Sequence, residues 1–126
     1  MSTITVQTPE KQTTPETGGV EQLTQEMRPL GVHVSNVKFM NLLLLKYIRG
    51  ECNFTDPRTI SCRGLILESG TFKPICVPPE KSQKFPFFIQ SITDWNEVLI
   101  EEFIDGTMIN VFHYGGEWHI STRSKI

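Results

Sequence analysis

Apolar residues in this chain come in short, strand-length bursts separated by polar and turn-forming stretches. Val20, Leu23 and Met27 stand at helical spacing and run into Pro29 and Gly31, so residues 20–30 predict one short amphipathic helix packed on the first strands. Residues 31–37 alternate weakly and predict the start of a strand. Residues 41–48 form a nearly continuous apolar run, which fits either a strand buried on both faces or a turn of buried helix. After a polar loop over 50–57, residues 63–68 and 72–77 read as strands joined through Ser69, Gly70 and Thr71. Pro78 and Pro79 end the second, since proline cannot donate to a ladder. A basic and aromatic loop is expected over 81–88, one helical turn over 91–96 and a strand over 97–104. Residues 108–114 and 117–122 then predict a hairpin across Gly115-Gly116. One helix and about six strands make this an α+β chain with an antiparallel-rich sheet.

Composition narrows the picture. The chain has 126 residues, which allows one domain at most. Residues 1–19, rich in Thr, Gln, Pro, Glu and Gly, cannot bury enough apolar surface to offset their ordering entropy, and are expected to be a disordered tail. They lack the basic start and apolar core of a signal peptide. No apolar run approaches a membrane span, so a soluble cytoplasmic protein without a membrane partner is expected, in the host cytoplasm if the source is viral. A formal charge of −2 gives no overall electrostatic footprint for nucleic acid, although a local cleft remains open to it. Cys52, Cys62 and Cys76 form no Cys-x-x-Cys pair and read as free thiols. His113 and His119 have no carboxylate or thiol placed to join them, so they read as strand histidines and no metal site is expected.

The segment from Glu101 through Phe103-Ile104-Asp105-Gly106-Thr107 carries the chemistry of interest. Asp105-Gly106-Thr107 by itself fits a plain turn as well as a functional motif. In context it resembles the Lys-x-Asp-Gly element of covalent nucleotidyltransferases, the group that includes RNA ligases, DNA ligases and capping enzymes. Upstream, Cys62-Arg63-Gly64-Leu65-Ile66-Leu67 is similar to the arginine-glycine strand that precedes that element in RNA ligases. The stretch from Pro74-Ile75-Cys76-Val77-Pro78-Pro79 to Lys81 and Phe85 resembles the family's segment bearing a second basic residue. Ser121-Thr122-Arg123-Ser124 stands where the family ends a hairpin with a basic element. The resemblance covers residues 41–126 and is to the N-terminal part of the phage-type RNA ligase adenylylation domain, as found in large DNA viruses.

That resemblance implies an incomplete nucleotidyltransferase (ATP-grasp-like ligase) domain over 20–126, using ATP and Mg2+. It implies nucleotide-binding roles for Arg63, Lys81, Asp105, Gly106 and Arg123, with Lys84 a rival to Lys81. On residue type alone, Arg63 fits ligand contact or a structural ion pair, and Lys81 and Arg123 fit phosphate contact or solvated charges. Family members attack the α-phosphate with the motif lysine; that position is Phe103, which has no nucleophilic atom, and no lysine lies between Lys84 and Lys125. No catalytic residue is therefore assigned. Phe103 is expected to fill the space of a lysine stem, and Glu102 beside it would repel the triphosphate unless a metal intervenes. The family's later motifs are absent through Ile126, so a truncated or split domain completed by a C-terminal half or partner chain is expected. Two functions stand: an RNA ligase-like nucleotidyltransferase domain binding nucleotide and RNA ends without the covalent step, or a non-catalytic nucleotide-, RNA- or protein-binding module.

Overall fold

The computed structural model describes residues 17–126. The expected tail, 1–19, lies outside the described residues up to residue 16, and residues 17–19 instead open helix α1 (Thr17–Met27). A 3-10 turn (Arg28–Leu30) leads into four antiparallel strands: β1 (Val32–Val37), β2 (Leu42–Tyr47), β3 (Arg63–Glu68) and β4 (Pro74–Cys76), adjacent in chain order. A second, short helix α2 (Phe85–Ser91) and a two-stranded hairpin, β5 (Asn110–Tyr114) and β6 (Glu117–Ser121), follow. The architecture is α+β with an N-terminal helix and an antiparallel sheet. No helix among the described residues is long and apolar enough to cross a membrane.

The 41–48 run forms a strand, and its two-residue period sorts four leucines onto two faces. Leu43 and Leu45 join Met27, Val32 and Cys62 in a core that α1 covers with Val20 and Leu23, the residues whose spacing predicted it. Leu42 and Leu44 point the other way, against Ile66 and Phe112 of the hairpin. All four leucines are at most 2% exposed, each worth roughly 1.5–3 kcal/mol of transfer free energy. The sheet is thus sandwiched, with helix on one side and hairpin on the other. The Tyr114 hydroxyl donates to Glu68 Oε1 at 3.1 Å and fastens the hairpin to the end of β3. With the Thr71 hydroxyl as the larger influence, this bond holds the Glu68 carboxyl below its ordinary pKa. The Gly115–Gly116 turn has φ of 63° and 87°, the left-handed pair that a tight hairpin requires.

Four expectations need correction. The left-handed position of the β3–β4 turn falls on Phe72 (φ 56°), whose ring packs beside Gly19 of α1. β4 shrinks to three residues, because Phe72 leaves the extended region and Pro74 brings no N–H to the ladder. The basic loop over 81–88 turns helical from Phe85, with proline tolerated in the first turn of α2. The strand expected over 97–104 does not form. The Asp94 carboxylate caps a 3-10 turn (Trp95–Glu97) by accepting from Asn96 N at 2.8 Å, and residues 98–109 then have no regular structure. Their apolar residues come in adjacent runs, Val98-Leu99-Ile100, Phe103-Ile104 and Met108-Ile109, and adjacent residues of a strand face opposite ways. No described strand pairs with them.

The three cysteines are free thiols; Cys62 is buried, and burial, with the neighbouring Cys52 thiol a smaller cause, pushes it to about 11. His113 packs edge-on against Trp118, and His119 Nε2 lies 3.0 Å from Tyr114 O.

Candidate functional site

Arg63 opens β3 opposite Lys46 of β2, and the ladder slips by one residue there, so that Leu45 faces Leu65 and Gly64 is left in a bulge. Gly64 has φ of +102°, and a Cβ added to it would lie 2.9 Å from Arg123 Cα and 3.0 Å from Thr122 O. The bulge glycine therefore does two things: it takes a backbone shape closed to other residues, and it admits the chain leaving β6. Beyond β6 that chain is knotted into a tight turn. Thr122 N donates to Lys125 O at 2.7 Å, while the Thr122 hydroxyl accepts from the N–H groups of Ser124 and Lys125 at 3.3 and 3.2 Å. The turn sets Arg123 beside Arg63.

Together these elements line a cleft of about 380 Å³ formed by Arg49, Arg63, Gly106, Thr107, Met108, Thr122, Arg123 and Ser124. Three arginines line it and no acidic residue does. Arg63 Nη1 donates to Glu80 O at 2.9 Å and Pro79 O at 3.3 Å, while its Nε, like Arg123 Nη1, is buried without a hydrogen-bond partner. Neither arginine has an ion pair; among the described residues the close charge pair is Arg58–Asp56, at 2.7 Å. Asn110 Nδ2 and Ser121 Oγ, on residues that face one another at the open end of the hairpin next to Met108 and Thr122 lining the cleft, are also buried and unpartnered. Orphaned buried polar atoms are rare, and four lie on residues at this end of the fold. Three of the four are N–H donors, and the fourth, a hydroxyl, can donate.

Beside the cleft two rings stand in contact, with a cation at each end. The Arg123 guanidinium carbon lies 5.0 Å from the Tyr47 ring centre, Tyr47 meets Phe54 edge-to-face at 5.1 Å, and Lys81 Nζ lies 5.4 Å from the Phe54 ring centre.

The residues singled out from sequence separate in space. Arg63, Gly106 and Arg123 come together in the cleft. Lys81 and Lys84 line a different groove, so the convergence expected of Lys81 with Arg63 is limited to the Arg63 bonds with the backbone just before Lys81. Asp105 is exposed and lies outside the cleft lining. Phe103, expected to fill the space of a lysine stem, is 91% exposed and fills nothing. Arg49, Tyr47 and Asn110 escaped sequence reasoning, and Ser121 entered it only as part of the element that ends the hairpin. The signal available for the first two was the register of β2 on β3, which carries the end of β2 past Arg63.

No protein-family model matches the chain, and no solved structure matches it. A curated viral protein does: the chain is 32% identical over 118 residues to a protein of Autographa californica nuclear polyhedrosis virus described as a bifunctional polynucleotide kinase/RNA ligase. The alignment covers 86% of this chain and 17% of that protein, so the chain spans only a small part of its relative's length. At this distance the likeness supports an RNA ligase-related family for the chain.

Proposed function

We propose that this chain is an RNA ligase-like binding module that grips phosphate groups of a nucleotide or an RNA end in the arginine cleft and performs no covalent nucleotidyl transfer. The convergence of Arg49, Arg63 and Arg123, two of them with unsatisfied buried donors, carries this reading. A planar guanidinium matches two phosphate oxygens at once, and charge-assisted bonds of this kind are roughly twice as strong as neutral ones. The relative's described ligase activity points to the same ligand class.

The residues present fit the phosphates of ATP, which would lie against Arg63, Arg123 and Arg49. They do not fit a magnesium ion, since the cleft lining offers neither carboxylate nor imidazole. No step is therefore assigned to the metal here. The covalent step needs an amine at the α-phosphate, and the motif position supplies an exposed phenyl ring. The runner-up reading, an ATP-dependent ligase domain completed by another chain or a C-terminal half, draws on the same likeness to the viral protein.

Two measurements separate these readings. Incubation with α-labelled ATP or GTP and magnesium, followed by denaturing electrophoresis, should leave the chain unlabelled; an acid-labile labelled band would sink the proposal. Titration with a 5′-phosphorylated mononucleotide should show binding that Arg63→Ala weakens by at least about tenfold, the value of one hydrogen bond to a charged group. Unchanged affinity in that variant would remove the cleft from consideration.

A further inference from the structure

Leu99, Ile100, Phe103 and Ile104 are between 78% and 91% exposed, four apolar side chains within six residues. We propose that this segment docks, as a helix, in the lysine-lined groove beside α2 of a second copy of the chain, and that the exchange is reciprocal. The inference stands apart from the phosphate-binding reading, since this groove and the arginine cleft share no lining residue.

The order of residues in the segment is helical although its backbone is not. Trp95, Leu99 and Phe103 stand four residues apart, as do Ile100 and Ile104, while Glu97, Glu101 and Asp105 repeat at the same interval. Wound into a helix, these positions form one apolar and one acidic face, with Glu101 and Glu102 on opposite sides of the apolar one. The start of such a helix is already built. The Asp94 carboxylate caps the turn Trp95–Glu97, and Glu97 holds the third position that a capping box uses. What the segment lacks is a surface to cover its apolar face, and a helix of this length is marginal in water without one.

The groove, of about 550 Å³, offers that surface. Phe54, Ile60, Phe87, Lys81 and Lys84 line it. Phe87 is 62% exposed on a helix without a buried residue, so packing within the chain does not account for it. Lys81 N donates to Ile60 O at 2.9 Å and fixes one wall to the other. Charge selects the occupant. Residues 94–105 carry Asp94, Glu97, Glu101, Glu102 and Asp105, and no lysine or arginine offsets them. Neither Lys81 nor Lys84 has an ion-pair partner among the described residues, although Glu80 also belongs to the lining. An amphipathic helix laid in an apolar groove, with opposite charges at the rim, is a recurrent mode of docking. Within one chain the two surfaces stay apart, with Phe87 and Phe103 both open to solvent. Two copies related by a twofold axis satisfy both at once, because segment then meets groove twice.

The test uses the full chain, with sedimentation equilibrium and far-UV circular dichroism over one range of concentration. A dimer is expected, with helix content that rises as it forms. Lys81→Glu with Lys84→Glu, and separately Glu101→Lys with Glu102→Lys, should each weaken dimerisation by at least about tenfold, since each sets like charges face to face. Mixed in equal amounts, the two double variants should form a heterodimer of parental affinity. Acidic segment then meets basic groove at one contact, and basic segment meets acidic groove at the other. A misfolded variant cannot be rescued in this way. Phe103→Ala, which alters no charge, should weaken the dimer by about tenfold, as truncation of a buried aromatic anchor does. A parent chain that stays monomeric at every concentration would overturn the proposal; high helix content in that monomer would put the segment in its own groove instead. Double variants that dimerise like the parent would overturn it by placing the contact elsewhere. A mixture of them that stays monomeric would overturn the pairing of this segment with this groove.

Discussion

Gly64→Val should lower the stability of the chain by roughly 2–4 kcal/mol and abolish the proposed phosphate binding. Two costs act at once. A φ of +102° is closed to a β-branched residue, and the new Cβ would press on the backbone of Thr122 and Arg123 at 2.9–3.0 Å. Backbone cannot swing aside as a flexible side chain would, so either the bulge in β3 or the chain end beyond β6 must move. If the chain end moves, Arg123 leaves Arg63 and the cleft opens. Urea unfolding gives the first effect and mononucleotide titration the second. A Gly64→Val chain as stable as the parent, with its affinity intact, would show that the close approach plays no part in the site.

Leu44→Ala should cost about 2–5 kcal/mol, the range for a buried leucine whose surroundings collapse only in part. Leu43→Ala, one residue away and equally buried, should cost a similar amount, yet the two should fail differently. Leu44 faces Ile66 and Phe112, so its loss loosens the hairpin; Leu43 faces Met27 and Val32, so its loss loosens α1. Amide hydrogen exchange resolves this. Leu44→Ala should release the amides of β5 and β6 ahead of those of α1, and Leu43→Ala should reverse the order. Identical exchange patterns would mean that the two faces do not behave as separate cores.

Local patterns carried part of this fold and tertiary geometry carried the rest. Val20, Leu23 and Met27 marked α1, and Gly115-Gly116 marked the hairpin, because each signal spans only a few residues. The leucines of β2 left strand and helix both open until neighbours on each side were known. Residues 97–104 looked like strand because Val98-Leu99-Ile100 and Phe103-Ile104 are apolar, but a strand needs a partner, and nothing in that segment says that none will come. Phe72 in the left-handed region had no signal at all, since the glycine two positions earlier was the natural candidate. In the site, Arg63 and Arg123 were legible from their motifs. Their company was not: Arg49, Tyr47 and Asn110 arrive by register and turn geometry, which depend on residues far away in the chain. Lys81 and Asp105 were placed near Arg63 by resemblance, whereas one lines a separate groove and the other stands exposed outside the cleft.

The irregular stretch over 98–109 bears on the order in which the molecule assembles. Strands β1 to β4 pair with sequence neighbours, which keeps loop closure cheap and lets the meander form early. The hairpin can close on its own turn, but it reaches the meander only across that unstructured tether, so its docking is the slow, long-range event. Arg63 belongs to the meander and Arg123 to the hairpin's exit, and the cleft exists only once the two have met. A phosphate that binds the cleft therefore binds the docked state alone and draws the equilibrium toward it by mass action. Under the proposed reading, affinity for phosphate would for that reason gauge how much of the population has completed its last folding step.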